Sequence, residues 1–174
     1  MAGEKDRGSR KAWAVLGSIV FFAIAPGTVA WLIPRAISGW RFEPPFLGLH
    51  ATRAVGALFM AAGIAGLVAC FARFALQGLG TPAPVAPPTR LVVSGLYRHV
   101  RNPMYVAVTA VVIGEALMLG SRALLGYAAV LWLLFHVWVL LCEEPALRRR
   151  FGESYREYCA NVGRWIPRFT PWVR

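Results

Sequence analysis

Cysteine is scarce in this chain, and acid is scarcer than base. Only three cysteines, Cys70, Cys142 and Cys159, occur in 174 residues, with neither a CxxC pair nor a histidine at ligand spacing. That pattern excludes a disulfide framework and a zinc site, and leaves the thiols as small apolar packing groups. Asp and Glu number 8 against 19 Lys and Arg, a formal net charge of +11. Nucleic acid or anionic lipid could balance such a charge. The basic residues, however, sit at the ends of apolar runs, where they flank membrane spans, so no nucleic-acid partner is indicated. Long polar segments are missing too. Residues 77–88, containing GLGTPAPVAPP, are the one linker-like stretch; its prolines forbid a regular helix and its glycines permit sharp turns. One domain, 1–174, is therefore expected.

What the chain has in quantity is apolar: 57% hydrophobic residues and a mean hydropathy of +0.53, more than a soluble core of this size needs. Four apolar runs stand out, at 12–33, 51–76, 104–119 and 123–142. A span across about 30 Å of hydrocarbon takes about 20 helical residues. The first run follows a basic tail with Lys5, Arg7, Arg10 and Lys11. Thr28-Val29-Ala30 is similar to a signal-peptide cleavage site, but apolar character continues through Trp31, Leu32 and Ile33, so a retained span kinked near Pro26 is expected. A loop at 34–50 follows, with Pro44-Pro45 and the aromatic anchors Trp40 and Phe42. The second run lies between Arg53 and Arg73 and concentrates Gly56, Gly63 and Gly66 among alanines, small residues that let helices approach closely in a bilayer. The last two runs are joined by Gly120, Ser121 and Arg122 alone, which predicts a tight antiparallel hairpin. After it, Leu147, Phe151, Tyr155, Tyr158 and Val162 recur at three- and four-residue steps. Residues 145–162 thus read as an amphipathic helix lying on the membrane. The expected fold is all-α: a polytopic membrane helical bundle of about four transmembrane helices plus a C-terminal interfacial amphipathic helix.

Charge orients that bundle. With an even number of spans, fifteen Lys and Arg fall on one side, against Arg35, Arg41, Arg53 and Arg122 on the other. Cationic loops stay cytoplasmic. Both termini are expected there, in what reads as a bacterial inner membrane.

A hairpin returns its chain to the face it left, so the loop GLYRHVRNPMY, 95–105, meets Glu143 and Glu144. Two carboxylates at the carboxyl end of a membrane helix face the negative end of its dipole and call for a positive neighbour. Arg98, Arg101 and the 148–150 arginines would make a solvated acidic cap; a cationic ligand would serve equally. The loop itself offers Gly95 for close backbone approach, Tyr97 and Tyr105 for flat faces, and Asn102 for donor and acceptor groups. Such a pocket suits a flat heterocycle bearing positive charge. Glu115 and His136, polar residues inside spans, are either functional or hydrogen-bonded within the bundle.

The run Gly95-Leu96-Tyr97, then Arg101-Asn102-Pro103-Met104-Tyr105, then Glu143-Glu144, FGESYREY at 151–158 and RWIPR at 164–168 resembles the isoprenylcysteine carboxyl methyltransferase and phospholipid methyltransferase family over the second half of the chain. The resemblance implies a metal-free integral membrane enzyme that transfers methyl from S-adenosylmethionine. It divides the chain into amino-terminal spans and linker (1–88) and a cofactor-binding catalytic half (89–174). Cofactor contacts would come from Leu91, Val92, Gly95, Tyr97, Asn102, Pro103, Met104, Tyr105, Glu143 and Glu144, with Arg101 and Asn102 as catalytic candidates, Arg101 to hold an anionic acceptor. Asn102 stands where many members have His, and it takes no proton. Val139 stands where the eukaryotic prenylcysteine enzymes carry Arg. The expected acceptor is a lipophilic small molecule or lipid-like compound arriving from the bilayer among membrane lipids. A phospholipid, amine or thiol methyltransferase of the same family, and a non-catalytic scaffold or small transporter, are the alternatives.

Overall fold

The computed structural model describes residues 24–77 and 91–173, the side chains of 74–77 excepted. The basic tail, residues 12–23 of the first apolar run and residues 78–88 of the linker lie outside them. Among the described residues all regular structure is helical. Residues 24–27 are helical, a π-helical turn follows at Thr28–Leu32, and the rod ends in α1, Ile33–Ser38. The turn before Pro26, where the expected kink would fall, begins outside the described residues. Gly39, left-handed at φ 55°, closes α1.

The second apolar run forms α2, Ala51–Gln77, and the third forms α3, Pro103–Leu119. These two helices pack backbone to backbone. A Cβ added to Gly56 would stand 2.6 Å from the Gly114 carbonyl, and one added to Gly63 2.7 Å from the Ala107 carbonyl. Only glycine permits that approach. Leu67, Phe71, Val108, Val111 and Val112 fill the core beside the contact, with Ala128 and Leu131 from the next helix.

That helix, α4, Arg122–Trp138, returns antiparallel to α3 after a turn in which Gly120 is left-handed (φ 76°) and donates to Ala116. Gly120 also lies hard against the Pro44 carbonyl, and the Glu43 N–H donates to Leu119 at 2.8 Å. The 39–50 loop is thereby fastened to the turn of the hairpin. Tyr127 reaches from α4 to the Val29 carbonyl at 2.8 Å, tying the first rod to the bundle.

The chain does not stop helically at the acids, as the dipole reading supposed. It runs through a π-helical turn, Val139–Glu143, into α5, Glu144–Asn161. Pro145 sits at the start of α5 and offers no N–H to the turn before it, which removes one α-type bond at this join. Glu144 consequently occupies the first turn of α5. The tail helix is itself broken, at Gly152 (φ 50°, ψ −121°).

Among the described residues two helical rods are long and apolar enough to cross a membrane, Ala51–Arg73 and Arg122–Asn161. The 17 residues of α3 make about 26 Å. Apolar side chains such as Leu58, Ile64 and Val68 on α2, and Val130, Leu133 and Leu134 on α4, face outward. Each would cost about 25 cal/mol per Å² in water, and hydrocarbon removes that cost.

Candidate active site

The site is built where α3 begins, where α4 passes into α5, and where residues after α5 fold back. The approach to α3 is a short 3₁₀ turn, Gly95–Arg98, opened by Gly95 at φ 57°. Pro103 starts α3, its fixed φ and missing N–H suiting that position. Asn102 precedes it without capping; its side-chain amide donates instead to the Arg164 carbonyl at 3.2 Å.

The hairpin brings Tyr105 and Glu143 together: the phenol donates to Glu143 Oε2 at 3.0 Å. Phe135 packs on Tyr105 with centroids 4.6 Å apart, and Trp165 lies 6.5 Å away. Trp165 donates its indole N–H to His136 Nδ1 at 3.0 Å, and Trp132 stacks on the same imidazole at 5.1 Å. His136 is therefore hydrogen-bonded within the protein. Among the described residues Glu143 has no cation within ion-pair distance.

Glu144 is its opposite. Its buried carboxylate takes a two-pronged hydrogen bond from Arg164 (2.6 and 3.0 Å), an ion pair with Arg101 at 3.1 Å, and a longer one with Arg148 at 3.8 Å. Hydrogen bonding to Glu144 raises the Arg164 guanidinium above its ordinary value. Arg101 also donates to Cys159 Sγ at 2.6 Å, while its Nε is buried without a partner. Adjacent acids thus meet different fates because the π turn directs them differently: one toward aromatic rings, one into arginines.

The segment after α5 closes over the loop. Arg101 N–H donates to the Gly163 carbonyl, Arg168 N–H to His99, and Trp172 N–H to Arg98, all at 2.9–3.0 Å. Arg98 Nε returns a bond to the Trp172 carbonyl at 2.7 Å. Beneath, Tyr158 donates to the Tyr97 carbonyl at 2.6 Å. Tyr155, Tyr158 and Val162 bury against Leu91, Val93 and Trp172, so the apolar face of α5 is covered by protein.

A cavity of about 830 Å³ lies beside this clasp, lined by Leu91, Val93, Gly95, Tyr97, Arg73 and Trp172 among others. Leu91, Gly95 and Tyr97 of the sequence-derived set reach it; Tyr105, Glu143, Asn102 and Arg101 are not on its wall. Tyr97, on the cavity wall, lies within electrostatic reach of Glu143. Burial first, and then the proximity of Cys70 and Glu143, push its phenol well above the ordinary tyrosine range. Val92, Met104 and Tyr105 are half-buried and Pro103 is buried. Phe135, Arg164, Trp165, Trp172 and Arg73 belong to the surroundings of the site although sequence reasoning gave them no role. Helical spacing could have found Phe135, one turn before Val139, and the RWIPR motif at 164–168 already holds Arg164 and Trp165; nothing local marks Trp172 or Arg73 as site residues.

A bundle with apolar outer faces, a polar clasp at one end of a hairpin and a cavity beside it is the build of a membrane-embedded enzyme. Residues 51–154 match the family model described as phospholipid methyltransferase, more than half of the chain, and the chain belongs to that family. No curated protein and no solved structure matches it. Members of the family are S-adenosylmethionine-dependent methyltransferases, and this chain is accordingly a membrane methyltransferase with a lipid-like acceptor.

Proposed function

We propose that the chain is a four-span enzyme whose cofactor pocket, formed by residues 89–174, opens to the cytoplasm and serves a lipophilic small-molecule or lipid-like acceptor arriving from the bilayer. The carrying observation is Glu143: a carboxylate held by one phenol, beside aromatic rings, with its neighbour Glu144 absorbing the nearby arginines. Glu143 is an acid prepared for a ligand's cation. S-adenosylmethionine fits that preparation, and when bound it supplies an electrophilic methyl group on a positively charged sulfur.

Glu143, oriented by Tyr105, would hold the amino group of the methionine moiety. Tyr97 and Tyr105 provide flat faces for the heterocycle or the cation. The backbone at Leu91 and Val92 offers donors and acceptors to ring edges, Gly95 supplies the left-handed turn (φ 57°) that presents Tyr97, and Pro103 and Met104 lie at the start of α3 beside it. Arg101, which the resemblance offered for an anionic acceptor, is paired with Glu144, so its charge serves the clasp, and Asn102 orients the returning segment that shuts the site. A carboxylate acceptor requires no base, which agrees with Asn102 being unable to take a proton. Alignment of the reactants and exclusion of water do the catalytic work; the clasp of residues 163–172 serves both.

Calorimetry with purified protein tests the reading. Wild type should bind S-adenosylmethionine, and Glu143→Ala should weaken binding at least about tenfold with the fold retained. A folded wild type that gives no heat would point instead to a scaffold. Incubation with methyl-labelled cofactor and membrane lipid extract then identifies the acceptor; label on a phospholipid amine would move the acceptor away from a carboxylate.

A further inference from the structure

Among the described residues, one cation on the cavity wall has no role in the clasp. Arg98 is engaged with the Trp172 carbonyl and His99 with the Arg168 carbonyl. Arg73 has no hydrogen bond or ion pair among the described residues. Its guanidinium lies close against Gly95: a Cβ added there would stand 3.1 Å from Nε and 3.5 Å from Cζ. The missing side chain at Gly95 is what lets the planar group settle over the backbone at the cavity wall.

The surroundings leave that charge unanswered. No acidic residue occurs anywhere between Glu43 and Glu115, and none lines the cavity. Leu91, Val93, Leu96 and Trp172 give the same cavity apolar walls. Arg73 lies about one turn before the end of α2, Ala51–Gln77, which puts it toward headgroup depth once that rod crosses. An unbalanced guanidinium over an apolar wall at that depth matches an amphiphile with an anionic head.

Building on the methyltransferase reading above, we propose that Arg73 is a specificity-determining residue, its guanidinium receiving the carboxylate or phosphate of the methyl acceptor while the acceptor's apolar part lies along Leu96 and Trp172. The planar fork accepts either anion bidentately. Glu143 and Arg73 then divide the ligands, cation to one and anion to the other.

Equilibrium dialysis in a neutral maltoside detergent tests this with three probes, dodecyl phosphate, dodecanoate and dodecanol, and with inorganic phosphate as competitor. Wild type should bind one or both anionic amphiphiles at least about tenfold more tightly than the alcohol, the tighter one naming the anion. Arg73→Gln should lose that preference, and Arg73→Lys should keep part of it. Because Arg73 is exposed, both variants should unfold at the wild-type temperature. Inorganic phosphate that displaces dodecyl phosphate at equal concentration would overturn the proposal in favour of a free-anion site, and so would an anion preference that survives in Arg73→Gln. Calorimetry on the same samples separates the two readings. Unchanged S-adenosylmethionine binding in Arg73→Gln supports the division of ligands. Loss of it would assign Arg73 to the cofactor, ending this proposal and sparing the methyltransferase. A wild type that binds amphiphile but no S-adenosylmethionine would end both.

Discussion

At the scale of the residue, Glu143 and Glu144 are neighbours with opposite environments, and their substitutions should fail in opposite ways. Glu144 is buried among Arg101, Arg164 and Arg148. Removing one partner of such a group leaves charge buried and uncompensated, which costs about 3–5 kcal/mol. Glu144→Ala should therefore lower the unfolding temperature in detergent clearly. It should also free residues 163–172, seen as faster backbone hydrogen exchange there. Glu143→Gln should do neither, since Tyr105 can still donate to the amide oxygen, yet it should weaken S-adenosylmethionine binding. Equal loss of stability in the two variants would refute the division. The same comparison separates a ligand-binding acid from a solvated acidic cap, the two readings that sequence left open. Arg164 decides between them for Glu144, at 2.6 Å, and among the described residues no such cation stands at Glu143.

At the scale of the element, the tightest joint is α2 on α3. Gly63→Val would press a branched side chain into the Ala107 carbonyl at 2.7 Å, and overpacking of that kind costs about 1–3 kcal/mol or separates the helices. Gly126 on α4 meets nothing within 4 Å, so Gly126→Ala should be neutral or stabilising by up to about 1 kcal/mol. Thermal unfolding of the two variants side by side checks the contrast; a tolerated Gly63→Val would mean the helices are not in backbone contact. This joint was legible in the sequence because bilayer length and small-residue content are matters of composition. So was the hairpin, from Gly120-Ser121-Arg122, and with it the meeting of Tyr105 and Glu143. The π turn at Val139–Glu143 was not, since it depends on the N–H that Pro145 lacks and on how Val139 packs. Nor was the break at Gly152, where a run of well-spaced aromatics suggested one continuous helix. The division of labour between the two acids was hidden for the same reason: it follows from the register of a distorted turn and from Arg164, which arrives only when the chain folds back.

At the scale of the whole molecule, the reading depends on α3 crossing the membrane, and the fold supplies reporters at each of its ends. The 39–50 loop is fastened to the hairpin turn through Glu43 and Leu119, and Leu47 there is exposed. The carboxyl-terminal segment is fastened to the start of α3 through Arg168 and His99, and Phe169 there is exposed. If α3 spans, these positions lie in different compartments. In the proposed orientation, with the Lys- and Arg-rich side in the cytoplasm, Phe169 is cytoplasmic. With Cys142 and Cys159 replaced by alanine and buried Cys70 retained, Leu47→Cys should react in intact cells with an impermeant maleimide. Phe169→Cys should react only after the membrane is opened. Labelling of both from outside would mean that α3 does not cross, and the hairpin would then be a surface feature. Labelling of Phe169→Cys alone would invert the protein and turn Glu143 away from the compartment where S-adenosylmethionine is made. The expected pattern requires both fastenings to hold at once, so it tests the clasp over the site together with the orientation of the bundle.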